Sequence, residues 1–123
     1  MFNNAIIKGM KQLTSHILMI EPVAFRYNEE TAVNNYYQKH LETFSQEEVQ
    51  MKALKEFNKF VLKLEQQGVH VHVVQDTLIP DTPDSIFPNN WVSFHQDGRV
   101  ALYPMCAENR RLERRPDILD KLS

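Results

Sequence analysis

The sequence is sparing in several residue types, and each scarcity excludes something. Among 123 residues there is one cysteine, and there are three glycines and one tryptophan. A single cysteine, Cys106, rules out a disulfide framework and makes a reducing cytoplasm the expected compartment. Charge of one sign is also missing: 14 Lys and Arg face 16 Asp and Glu, a net charge of -2. Such a balance gives no electrostatic basis for nucleic-acid binding. No apolar run approaches the ~18 residues of a membrane helix, and the longest is Ile17-Leu18-Met19-Ile20. The start of the chain has no charged, then apolar, then small-residue order, so no secretory signal is expected. No internal repeat is visible. What is present is 42% hydrophobic and 24% charged residues, an ordinary globular composition. One domain is expected, long enough to bury roughly 65% of its unfolded surface.

Periodicity gives a coarse order of strand, helix, strand, strand, strand, helix. Residues 1–13 read as a weakly ordered start segment. Residues 15–20 form a continuous apolar strand stopped by Pro22, a pattern that predicts burial on both faces. Residues 21–44 read as a long loop with a short helical piece, the kind of segment that often binds ligands. Over 46–67, Val49, Ala53, Phe57, Phe60, Val61 and Leu64 mark one helical face. Ser45 with Glu48 fits a capping box, and Gly68 follows where a helix end favours glycine. Val69, Val71 and Val73 then alternate with His70 and His72, as a half-buried strand does. Residues 76–90 are a proline- and aspartate-rich connection. Trp91–His95 and Arg99–Tyr103 are strands joined at Asp97-Gly98, a hairpin signal. Pro116 is placed to start a last helix over 117–122.

Four constellations bear on chemistry. His70 and His72 share a strand face, and His16, His40 and His95 are the other histidines. No spacing ties them into a metal site, and strand alternation alone accounts for an i,i+2 pair. Cys106 has Arg110 and Arg111 nearby in sequence but no obvious histidine or carboxylate partner. An inert, partly buried thiol is the simpler reading than a nucleophile. Residues 108–121 carry five basic and four acidic groups, a mixed pattern that favours a solvated face or an arginine pair clamping a carboxylate. The turn Asp84-Ser85-Ile86-Phe87-Pro88-Asn89-Asn90-Trp91 is the least ordinary part. It sets an acid and two amides at a strand entrance, and those groups suit a ureido or guanidinium ligand as well as they suit a simple strand cap.

Several blocks together closely resemble the citrulline-utilisation hydrolases. They are Thr14-Ser15-His16-Ile17-Leu18-Met19-Ile20, Glu30-Thr31-Ala32-Val33-Asn34-Asn35, residues 82–95, and Leu102-Tyr103-Pro104-Met105 with residues 107–115. Those hydrolases belong to the amidinotransferase or guanidine-modifying superfamily, with arginine deiminase and dimethylarginine dimethylaminohydrolase. The resemblance runs from about residue 12 to the end, and the Pro-Asp-Ser-Ile-Phe-Pro-Asn-Asn-Trp block is its most specific part. It implies an α/β pentein fold, a five-bladed propeller, of which this chain would form the first one to two ββαβ-type blades. It also implies covalent chemistry without a metal or other cofactor. A cysteine thiolate attacks the central carbon of the substrate group, a histidine moves protons, and acidic groups hold substrate nitrogens.

Carried over by position, the resemblance implies that Asp84 grips substrate nitrogens and that Phe87 packs beneath the site. Asn89 and Asn90 fall where the dimethylarginine hydrolases have a Glu-Asp pair, so a neutral ureido group such as that of citrulline is favoured over a guanidinium cation. Arg110 is implied to bind the substrate's α-carboxylate, with Arg111 beside it. The family's catalytic histidine and cysteine have no counterpart here: Cys106 stands where an aromatic residue is expected. Glu21 stands before Pro22 where an arginine is expected. The chain is therefore expected to be an N-terminal part of such a hydrolase, inactive alone. The alternatives are a stand-alone module that binds an amino acid or a partner, and one half of a split enzyme. Self-association or pairing with a complementing C-terminal chain is the expected partnership, with neither nucleic acid nor membrane.

Overall fold

The protein is described by a computed structural model over residues 13–33 and 43–123. The expected start segment lies outside these residues apart from Leu13, as do His40 and residues 34–42 of the expected loop. The chain opens with β1 (His16–Glu21), followed by the short helix α1 (Glu29–Ala32) and the long helix α2 (Gln46–Gln66). Next come β2 (His70–Gln75), a 3-10 turn at Pro88–Asn90, β3 (Val92–Phe94), β4 (Val100–Leu102), α3 (Glu108–Arg111) and α4 (Pro116–Leu122). The result is a mixed α/β arrangement with two small sheets.

β1 and β2 pair in parallel, with His16 opposite His70 and Ile20 opposite Val74. A parallel pair needs a long crossover, and the segment carrying α1 and α2 supplies it. The capping box at the start of α2 is complete: the Ser45 hydroxyl accepts from the Glu48 N–H, and Glu48 accepts from the Ser45 N–H at 2.8 Å. The helix ends before Gly68, whose φ of 82° suits glycine. Its packing is partly polar. The Gln50 side chain accepts from the Phe25 N–H at 2.6 Å and donates to the Pro22 carbonyl at 2.8 Å, tying α2 to the loop after β1.

β3 and β4 form an antiparallel hairpin with Val92 opposite Leu102. Gly98 turns it with φ 85°, as Asp97-Gly98 predicts. Both strands are shorter than expected, although backbone bonds from the His95 N–H to the Arg99 carbonyl at 2.9 Å and from the Tyr103 N–H to the Trp91 carbonyl at 2.8 Å continue the pairing at either end. The core gathers Ile20, Val74, Trp91, Val92, Met105 and Ile118, flanked by Leu18, Leu119 and Leu122. The two sheets and α4 therefore share one apolar centre, with Trp91 at 1% exposure in it.

Two expectations need correction. β1 is not buried on both faces: Ile20 alone is buried, and Ile17, Leu18 and Met19 are half-buried. Its sheet has two strands among the described residues, and α2 covers it loosely. A groove of about 570 Å³ between α2 and β1 is lined by Met19, Phe25, Phe57 and Phe60, among others. The predicted apolar face of α2 is accordingly half-buried, and Phe60 is 54% exposed. The charged stretch expected as a solvated face or an arginine pair also holds a short helix, α3, in which Arg110 is half-buried against the buried Glu113 while Arg111 stays exposed.

His70 and His72 stand exposed on β2. His16 joins them: its Nδ1 lies 2.9 Å from His72 Nε2, and its ring stacks on His70 with centroids 4.8 Å apart. Among the described residues no group of three or more coordinating side chains is arranged to hold a metal ion.

Candidate functional site

The proline- and aspartate-rich connection is held by its own buried groups. Asp76 is 6% exposed and accepts from the Thr82 hydroxyl at 2.9 and 3.0 Å. Arg115 stands 3.7 Å from the same carboxylate. Arg26 pairs with Asp81, and that hydrogen bond holds the Asp81 carboxyl below its usual range. So anchored, the turn presents Asp84 inward at 8% exposure.

Asp84 is gripped through one oxygen. Its Oδ2 accepts from Asn28 Nδ2 at 2.8 Å. The same oxygen lies 3.4 Å from the Thr31 hydroxyl and 3.9 Å from Arg110 Nε. Among the described residues Oδ1 accepts no side-chain hydrogen bond, and it is not a buried, unsatisfied atom.

Arg110 comes from α3. Its Nε and Nη2 donate to Glu113 at 2.8 and 3.0 Å, and its Nη1 donates to the Asn90 side-chain oxygen at 3.1 Å. Two guanidinium hydrogens, one on each terminal nitrogen, remain for a carboxylate. Glu113 is 3% exposed, and burial raises its carboxyl pKa although Arg110 opposes the shift. Arg111 faces elsewhere: its Nε donates to the Met105 carbonyl and its Nη2 to the Cys106 carbonyl, both at 2.9 Å. It fixes the loop before α3.

The structure thus brings Asp84, Asn90 and Arg110 together. Asn89 lies on another face, lining an apolar groove with Met19, Phe60 and Val92. Phe87 is 43% exposed rather than enclosed beneath the site. Glu21 accepts from the Gln75 side chain at 2.9 Å, a link between β1 and β2 away from Asp84.

Sequence reasoning missed Asn28, Thr31, Asn109 and Glu113 as parts of this cluster. Asn28 caps α1: its Oδ1 accepts from the Glu30 N–H at 3.2 Å. An asparagine before Glu29-Glu30 is a helix-start signal that local pattern could have supplied. Its long-range partners had no such signal. Next to the cluster, Glu30, Thr31, Met105, Cys106, Glu108 and Arg110 line an open cleft of about 490 Å³. Around Arg110 the carboxylates Glu30, Asp84, Glu108 and Glu113 give an acidic excess, which suits a ligand rich in N–H donors.

The family model for eukaryotic N,N dimethylarginine dimethylhydrolase matches residues 21–123. The chain belongs to that family. No curated protein and no solved structure matches the chain. Membership places the chain among hydrolases that modify arginine-like small molecules, in agreement with the superfamily that its sequence resembles. The matched span includes every member of the Asp84 cluster. No helix among the described residues is long and apolar enough to cross a membrane.

Proposed function

We propose that this chain supplies the substrate-gripping part of a hydrolase that cleaves C–N bonds in ureido or guanidino groups. The observation that carries this reading is the divided role of Asp84, with Oδ2 tethered and Oδ1 open beside an acidic cleft. An open carboxylate oxygen accepts from substrate N–H groups, and the two unused Arg110 hydrogens meet an α-carboxylate. Asn90, bonded to Arg110, completes the proposed binding set, whereas Asn89 and Phe87 stand apart from it, and Arg111 steadies the loop that carries Cys106. The neutral Asn90 amide beside Arg110 favours citrulline over methylated arginine. Within the family's pentein architecture, these elements correspond to the first one to two blades.

The covalent step belongs to residues that this site does not contain. Cys106 is exposed and lines the cleft, but no histidine does so among the described residues. On this reading the chain binds substrate without turning it over. Titration with citrulline, arginine and N,N-dimethylarginine, followed by calorimetry, tests the binding role. Citrulline binding that Asp84→Ala and Arg110→Ala both abolish supports it. Ammonia release by the chain, lost in Cys106→Ala, would overturn the division between binding and chemistry.

A split enzyme or a partner-binding module is the second reading. Val73, Phe94 and Phe60 are 43%, 49% and 54% exposed on and beside two-stranded sheets, and open strands invite a complementing chain. A strictly monomeric chain with no affinity for a C-terminal complement carrying the missing histidine and cysteine would exclude it.

A further inference from the structure

The Asp84 cluster depends on a residue that makes none of the proposed substrate contacts. Asn28 is 2% exposed, and its side-chain amide joins three separate stretches of chain. Nδ2 donates to Asp84 Oδ2 at 2.8 Å and to Asn109 Oδ1 at 3.2 Å. Oδ1 accepts from Asn109 Nδ2 at 2.8 Å and from the Glu30 N–H at 3.2 Å. These contacts use both amide hydrogens and both lone pairs of the oxygen. Chemistry fixes the orientation as well. A flipped amide would set its oxygen against the Asp84 carboxylate and its NH2 against the Glu30 N–H, two repulsive contacts in a buried place.

Asn109 closes the arrangement. It exchanges two hydrogen bonds with Asn28, and its backbone N–H donates to Glu30 Oε2 at 3.0 Å. The start of α1, the Asp84 turn and the start of α3 are therefore locked through one amide. With one carboxylate oxygen drawn to Asn28 and to the Thr31 hydroxyl, the plane of the Asp84 carboxylate is oriented and its other oxygen points away from the tether.

We infer that Asn28 is the positioning residue for Asp84, and that Asn109 holds Asn28 in place to do it. This rests on the reading of Asp84 as the substrate-gripping acid. A structural role alone would be to cap α1. The two roles separate in Asn28→Ser, because serine caps a helix as well as asparagine but is too short to reach Asp84 and Asn109 together. Asn109→Ala is the second variant; it leaves the cap and the Asn28 to Asp84 bond while removing the pair of amide bonds.

The test reads Asp84 directly. Three-bond χ1 couplings of Asp84 are measured by NMR in the 123-residue chain and in both variants, alongside citrulline, arginine and N,N-dimethylarginine titrations. The expected result is a single Asp84 rotamer in the unaltered chain and an averaged one in Asn28→Ser. Affinity should fall by about tenfold, the loss of one charge-assisted hydrogen bond. Asn109→Ala should show a smaller shift in the same direction. A single retained Asp84 rotamer in folded Asn28→Ser would overturn the positioning role of Asn28, and an Asp84 unchanged in Asn109→Ala would overturn the part given to Asn109. If the unaltered chain binds none of the three amino acids while Asn28→Ser still frees Asp84, positioning stands and the substrate reading fails.

Discussion

Arg110 grips Glu113 with two prongs, at 2.8 and 3.0 Å, and approaches Asp84 only to 3.9 Å. The arginine is thus held by one buried acid and kept available beside another. That arrangement orients the guanidinium through a two-pronged pair with Glu113.

Removing the holding acid should be costly. Glu113→Ala leaves the Arg110 charge in the fold without its main partner, and stability should fall by about 3 kcal/mol. Glu113→Gln should lose less, since its carbonyl still accepts one bond. Urea denaturation of the three proteins measures this. A loss of about 0.5 kcal/mol for the alanine variant, typical of an exposed pair, would show that the pair is solvated.

The same residue shapes the pH dependence. Burial raises the Glu113 carboxyl above its ordinary 4.5, so the folded chain holds that proton more readily than the unfolded chain. Its contribution to stability is complete below 4.5 and is lost as pH rises through the raised value. Asp81 and Asp117 behave in the opposite sense. Arg26 and Arg115 hold them below 3.8, so their contribution is present above that value and is lost as pH falls through their lowered values. Denaturation midpoints across a pH series should therefore show a decline above 4.5 that Glu113→Gln removes, while the acid limb persists. Parallel curves for both proteins would contradict this assignment.

The two neighbouring arginines should separate on mutation. Arg110→Ala should weaken binding of an amino-acid carboxylate by about 2 kcal/mol, the worth of a hydrogen bond to a charged group. Arg111→Ala should act mainly on stability, by about 1 kcal/mol, because its bonds go to the carbonyls of Met105 and Cys106. Arg111→Lys should not restore the loss, since an ammonium has no fork to span two carbonyls. Calorimetric titration beside thermal unfolding distinguishes them. Equal loss of affinity in both alanine variants would restore the expected two-arginine clamp.

At the start of α2 the capping box gives a simpler prediction. Ser45→Ala should destabilise the chain by about 1 kcal/mol. The measurement is a thermal melt followed by circular dichroism at the helix band. An unchanged midpoint would mean that α2 is held by its groove contacts and by Gln50, with the cap contributing little.

Much of the fold was legible because its signals are local. The α2 periodicity, Ser45 with Glu48, Gly68, Asp97-Gly98 and Pro116 each fix an element through short-range geometry, and each appears where those residues predict. Partnership was not legible to the same degree. Asn28 and Asp84 are separated by 56 residues, and no pattern in either neighbourhood names the other. The inward turn of Arg110 and the bonds of the exposed Arg111 to backbone carbonyls were hidden for the same reason. An alternation of charges reads as a solvated face until buried acceptors such as Glu113 and the Met105 carbonyl are placed beside it.

The sequence by itself determined the long helix, the order of the strands, the absence of a disulfide framework and the turn that carries Asp84. Tertiary structure alone decided that Asn90 joins Arg110 while Asn89 faces an apolar groove, and that Asn28 rather than an arginine tethers Asp84. The physical reason is reach. Caps, turns and periodicity act within a few residues, whereas a site is made of hydrogen bonds between distant segments, and those exist only once a shared core such as that around Trp91 has brought the segments together.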